Sequence, residues 1–225
     1  MSRHKGNRLF AIALSLLVGA IFVGCGSGTP KIEKAEQSGI YLTEEGNVTV
    51  FLVETFDKEY YDAAELEQMI LAEIDAYNAT TDVTADEAAA QKAMAPVQLV
   101  DILTPEEKNA SISGASADTI TVQMEYATSV DYTAFNGKVL FFGTVAQAET
   151  SGYPIKTDLK SVAGDEVLKK ADASAMSENH ILVFEESVTV HVPFEVLYVS
   201  DGVAVDGKTV VFEEAEGKVA TVIMK

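Results

Sequence analysis

Imidazole is the side chain most often used for proton transfer and metal binding near neutral pH, and this chain has three, at His4, His180 and His191. Glu185 and Glu186 fall between the last two. Two histidines and one carboxylate form a recognised metal-binding set, which here requires Ile181–Phe184 and Val188–Val192 to pair as a hairpin. His191 shares its parity with Thr189, on the more polar face of a strand, and His180 follows the polar run Ser177-Glu178-Asn179. Exposed histidines beside acids are an ordinary result in so acidic a chain, so no metal site is expected from this pair.

Other chemistry finds little support. No serine stands in GxSxG, and the one S-x-x-K spacing, Ser2 to Lys5, is close to the N-terminus. Neither GxGxxG nor GxxxxGK[ST] occurs, so no cofactor or nucleotide site is expected. Carboxylate pairs for glycoside hydrolysis cannot be singled out among 35 acids, and tryptophan is absent. Phe56, Tyr60 and Tyr61 could stack on a sugar, although packing between a hairpin and a helix is the commoner use of such rings. The Asp-Gly pairs lack the spacing of a calcium loop and read as turns. No catalytic residue is assigned.

The N-terminus is more specific. Arg3, Lys5 and Arg8 precede Leu9–Val23, a run without charge in which Ser15 is the one polar side chain. About 15 apolar residues rise about 22 Å as a helix, short of the roughly 30 Å of a bilayer core, which favours an export signal over a membrane span. The run ends Phe22-Val23-Gly24-Cys25. This ending resembles the lipobox of bacterial lipoproteins, with Phe22 where leucine is commonest, over about the first 30 residues. The resemblance implies cleavage after Gly24, lipidation of Cys25 with palmitate-type acyl chains, and a body held at the extracytoplasmic face of the cell membrane. The acidic, Tyr-rich hairpin and helix that follow resemble uncharacterised lipoproteins of Gram-positive gut bacteria, which adds no activity.

Composition agrees with a charged body held off a surface. Removing Arg3, Lys5 and Arg8 from 16 basic residues leaves 13 against 35 acids, a net charge of about −22. Such a charge repels phosphate backbones, so nucleic acid is excluded as a partner class. Cys25 is the single cysteine, which excludes an internal disulfide and a cysteine-based zinc site. Residues 25–38 have no apolar period and read as a flexible tether.

The body, 39–225, reads as α+β with mixed or antiparallel sheet. Ile40–Leu42 and Val48–Val53 form a hairpin, the second strand apolar on both faces and so interior. Asp62–Asn78 is the clearest amphipathic helix, capped by Asp62, with Leu66, Met69, Ile70, Ile74 and Tyr77 on its apolar face. Further strands are expected at Val97–Leu103, 120–126 and Val139–Phe142, with a short helix Ser129–Asn136 stopped by Gly137. From Ile181 onward the chain reads as a strand-rich meander turned by Asp201-Gly202, Asp206-Gly207 and Glu216-Gly217. Gly152–Pro154 is the expected linker if the body divides into two lobes.

An evident anchor without catalytic motifs points to a binding or interaction module of the cell envelope, with an envelope protein or a small ligand as its partner. The alternative is an anchored hydrolase acting on wall or extracellular polymer through carboxylates.

Overall fold

In the computed structural model the described residues are 31–32, 35–58, 60–80, 94–107, 118–212 and 218–225. The export signal, Gly24, Cys25, the first part of the tether, the Ala-rich stretch after Thr80, most of the polar loop before 118 and the Glu216-Gly217 turn lie outside them.

The fold is α+β, built on two sheets. The first comprises β1 (Gly39–Leu42), β2 (Val48–Thr55), β3 (Val97–Leu103), β4 (Thr119–Tyr126), β9 (Thr189–His191), β11 (Val203–Asp206) and β12 (Thr209–Phe212), in the order β11-β12-β9-β1-β2-β4-β3. The second comprises β5 (Leu140–Thr144), β6 (Leu159–Ser161), β7 (Val167–Leu168), β8 (His180–Phe184), β10 (Val196–Val199) and β13 (Ala220–Met224), in the order β5-β8-β13-β10-β6-β7. All neighbours run antiparallel except β1 and β9.

Period-two patterning explains the layering. Val48 and Val50 of β2, Met124 of β4, Val190 of β9 and Val210 of β12 meet Leu182 and Phe184 of β8 and Val222 and Met224 of β13 in one core between the sheets. The opposite residues of the second sheet, Phe141, Ile181, Val183 and Ile223, form a second core with Val145 and Ala148 of helix α3 (Val145–Thr150) and Ala173 of a 3-10 helix (Lys170–Met176). Strands β8 and β13 are thus covered on both faces, which their unbroken apolar runs require.

The strand-rich end is present, but its strands alternate between layers. β8 lies in the second sheet, β9 in the first, β10 in the second, β11 and β12 in the first, and β13 returns to the second. Asp201-Gly202 therefore carries the chain from one sheet to the other, whereas Asp206-Gly207 begins a two-residue hairpin loop in which Gly207 has φ 58°, as a primed turn demands. At Gly152–Pro154, β5 before it and β6 after it belong to one sheet, and the Tyr153 ring packs at a tilt on Phe141 at 5.1 Å.

Helix α1 (Ala63–Asn78) starts one residue after Asp62, whose side chain accepts from the N–H groups of Ala64 and Glu65. Ile70 and Ile74 enter the inter-sheet core, Leu66 packs on it, and Met69 is 42% exposed, on the solvent side of the stripe. At its end Asn78 bonds both the N–H and the C=O of Val97, fixing α1 to β3. Helix α2 (Ser129–Asn136) ends at Gly137, with φ 67°. Ile32 and Ala35, which precede β1, are buried against Phe51 and Leu103 on the outer face of the first sheet. Phe51 points away from the inter-sheet core and needs that cover.

Candidate functional site

The inter-sheet core has two lateral sides. On one, β3 and β5 are bridged by helices: α1 supplies Ile70 and Ile74, and α2 supplies Tyr132 and Phe135. Tyr77, Tyr126, Tyr132 and Phe135 make edge contacts there, with ring centroids 5.2 to 6.0 Å apart. On the other side β11 faces β6 and β10, and no described helix lies over them.

A groove of about 550 Å³ results, within the range of ligand sites. Val162, Val196, Val199, Val203 and Val205 line it. Lys160 and Glu195 are its charged residues, and Lys160 is paired with Asp201 at 2.5 Å. Val196 and Val199 of β10 belong to the inter-sheet core, whereas Val203 and Val205 of β11 and Val162 after β6 are partly exposed at its margin. A valine-lined groove with one cation and one carboxylate can bind an apolar segment and orient a polar end. The Ser161 hydroxyl, which also lines it, accepts from the Ala163 N–H at 3.2 Å.

The hairpin that would bring the two histidines together does not form, because β8 and β9 lie in different sheets. His180 opens β8 in the second sheet, while His191 ends β9 in the first. The His180 ring stacks on Phe194 at 3.9 Å and on Phe142 at 5.9 Å, and its Nδ1 is 3.3 Å from the carbonyl oxygen of Lys225. His191 stacks on Tyr41 at 4.2 Å and has Nδ1 3.1 Å from the Thr209 hydroxyl; burial holds its pKa below the usual imidazole value.

The acids between them are used by the closed side instead. Glu185 accepts from the Val139 N–H at 3.1 Å, and Glu186 accepts from the Tyr132 hydroxyl at 2.8 Å. Burial raises the Glu186 pKa, opposed by the Tyr132 bond. Tyr132 is pushed well up, chiefly by burial and then by the Glu186 charge, and Tyr126 is raised by burial. Perturbed carboxyl and phenol groups of this kind occur in active sites, but neither Glu186 nor Tyr132 lines the groove. Glu54, also raised by burial, lies in β2 and does not line it either.

The aromatic trio is not packed away between hairpin and helix. Phe56 and Tyr61 lie 5.0 Å apart, as do Tyr61 and Tyr60, and Tyr60 is 77% exposed. The amide of Phe56 donates to Asp118, which holds its ring at the sheet end, while Tyr60 projects into solvent. The rings contact each other without enclosing a cleft among the described residues. Among those residues no cluster of three or more metal-ligating side chains occurs.

The groove was not singled out from sequence because its walls come from residues 160–162, 195–199 and 203–207, which an inter-sheet crossing brings together. The one legible sign was the alternation of Val203 and Val205 with Ala204 and Asp206 in β11.

Neither a family model, nor a curated protein, nor a solved structure matches this chain. The reading of its function therefore rests on the groove and on the lipobox-like N-terminus.

Proposed function

We propose that this protein is a lipid-anchored extracytoplasmic binding module of the cell envelope. Its site is the groove between β11 and the β6–β10 edge. The observation that carries the reading is the unfilled lateral side of an otherwise covered core, where five valines line a ligand-sized recess. An occupant would bury the exposed faces of Val162, Val203 and Val205, at about 25 cal/mol per Å² of apolar surface removed from water. The hydrolase alternative needs two carboxylates about 5 to 10 Å apart across a cleft, one of them kept protonated. Glu195 is the carboxylate lining the groove, and the carboxyls raised by burial, Glu54 and Glu186, do not line it.

Anchoring is supported by Arg3, Lys5 and Arg8, the apolar run to Val23 and the Gly24-Cys25 ending. Two measurements test the whole reading. Cys25→Ser should move the protein from the detergent phase to a soluble or uncleaved form, seen by fractionation and intact mass. An environment-sensitive apolar dye should bind the full chain and be excluded by Val162→Glu, a substitution tolerated at a residue 43% exposed. Unchanged fractionation would refute the anchor, and dye binding indifferent to Val162→Glu would refute the groove.

A further inference from the structure

The two sheets have four edge strands, and their outward backbone groups are treated differently. At β5, the Thr133 hydroxyl of α2 bonds both the N–H and the C=O of Leu140, and Ser129 Oγ accepts from the Phe142 N–H at 3.1 Å. At β3, Asn78 takes both groups of Val97, Asp101 accepts from the Ile102 N–H at 2.9 Å, and the register shifts between Leu99 and Asp101. β7 is two residues long. Side-chain plugs, irregular register and brevity are the usual means by which a sheet edge is closed to another strand.

β11 has no such protection among the described residues. Its register with β12 is regular through all four pairs, Val203↔Phe212 to Asp206↔Thr209. Asp206 and Thr209 close a two-residue hairpin, so hydrogen-bonded and non-bonded pairs alternate from there, and the N–H and C=O of Val205 point away from β12. The N–H of Val203 reaches the carbonyl of Ser200 at 3.4 Å, leaving its C=O outward. The strand carries no proline and no inward charge. The side chains of Val203 and Val205 form the upper wall of the groove, opposite Val162, Val196 and Val199.

We infer that the groove takes an extended peptide segment of a partner protein, added as a strand to the β11 edge, with alternate apolar side chains seated on the valines. This rests on the binding-module reading and specifies the ligand class. A free backbone edge beside an alternating apolar wall provides both parts of strand addition: main-chain bonds for affinity and side-chain seats for register. A compact small molecule would use the valines but leave the Val205 donor unused. Asp206 flanks the strand and Glu195 lines the groove, in a body of strong negative charge, while Asp201 is paired with Lys160, so the segment's outward positions should be basic.

The test uses the full chain in detergent micelles and a short synthetic peptide alternating valine with lysine, with the same peptide N-methylated at alternate residues as control. Saturable binding is expected, with slowed amide exchange at Val205. The N-methylated peptide should bind at least about tenfold more weakly. Val205→Pro, which removes an outward N–H without touching the β12 ladder, and Val162→Glu should each weaken binding by a similar factor, with folding of each variant checked by its unfolding midpoint. Absence of saturable binding overturns the inference. So does binding that survives N-methylation and leaves Val205 exchange unchanged, or a dimer of the chain abolished by Val205→Pro, which would make the occupant a second copy. If dye still binds the groove but the peptide does not, the strand inference fails and the groove reading stands.

Discussion

The two lateral sides of the inter-sheet core belong to the same two sheets and are finished in opposite ways. At the β3–β5 side, helices α1 and α2 place Ile70, Ile74 and Tyr132 over the sheet ends and use Asn78, Ser129 and Thr133 to occupy the edge backbone. At the β11–β6 side the valines continue to the margin, and the Val205 backbone groups face outward. One pair of sheets thus has a sealed flank where a helix of this chain covers it and an open flank where none of the described helices does. The difference is in what the chain supplies as cover and in the edge strands themselves, irregular in β3 and regular in β11.

Energetic asymmetry follows, and its largest sign should be in core truncation. Ile74→Ala on the sealed side is expected to cost about 2 to 4 kcal/mol, because a buried side chain is lost and its cavity remains. Val205→Ala on the open side should cost about 1 kcal/mol or less, since that valine already faces solvent on one side. Urea titration of both variants compares them directly; equal costs would mean that the flanks do not differ in packing.

The next effect concerns the polar seam of the sealed side. Tyr132→Phe removes the donor to Glu186 and should cost about 1 to 3 kcal/mol. Its pH dependence has a defined sign. Burial raises the Glu186 pKa, so the folded state binds more protons than the unfolded one above the ordinary carboxyl value near 4.5, and stability falls as pH rises through that window. The Tyr132 bond opposes the rise, so its loss should cost more at pH 7 than at pH 4. His191, held neutral by burial, acts in the other direction: its contribution is present above the usual imidazole pKa of 6.5 and is lost as pH falls through its depressed folded value. Thermal unfolding of Tyr132→Phe across pH 4 to 8 separates the two, and a cost independent of pH would show that Glu186 does not feel the hydroxyl.

The smallest effect belongs to the rim of the groove. Lys160 and Asp201 are 68% and 84% exposed, so Lys160→Ala should change stability by no more than about 0.5 kcal/mol. A larger loss would mean that the pair supports the open flank structurally.

These contrasts also show what the sequence could disclose. Helix α1 was legible because Ile70 and Ile74 recur at helical spacing behind an Asp62 cap, and β4 because Ile120 to Tyr126 alternates cleanly. Helix α3 was not expected, although Thr144 and Gln147 form its capping box. That signal is short and follows a strand without a break. The strand-rich end was visible, but its alternation between sheets was not, because local patterning shows which face is apolar and not which layer covers it. For the same reason His180 and His191, close in sequence, lie in different sheets, and the groove was assembled from segments that none of their own spacings linked.

The proposed binding module meets its ligand at the open flank and not at the sealed one. A photo-crosslinking residue placed in the full chain at Val162, 43% exposed in the groove, should be compared in intact cells with one at Val130, 66% exposed on α2. The account expects a discrete adduct at Val162 that disappears with Val205→Pro, and none at Val130. Equal labelling at both positions, or labelling at Val130 alone, would contradict it.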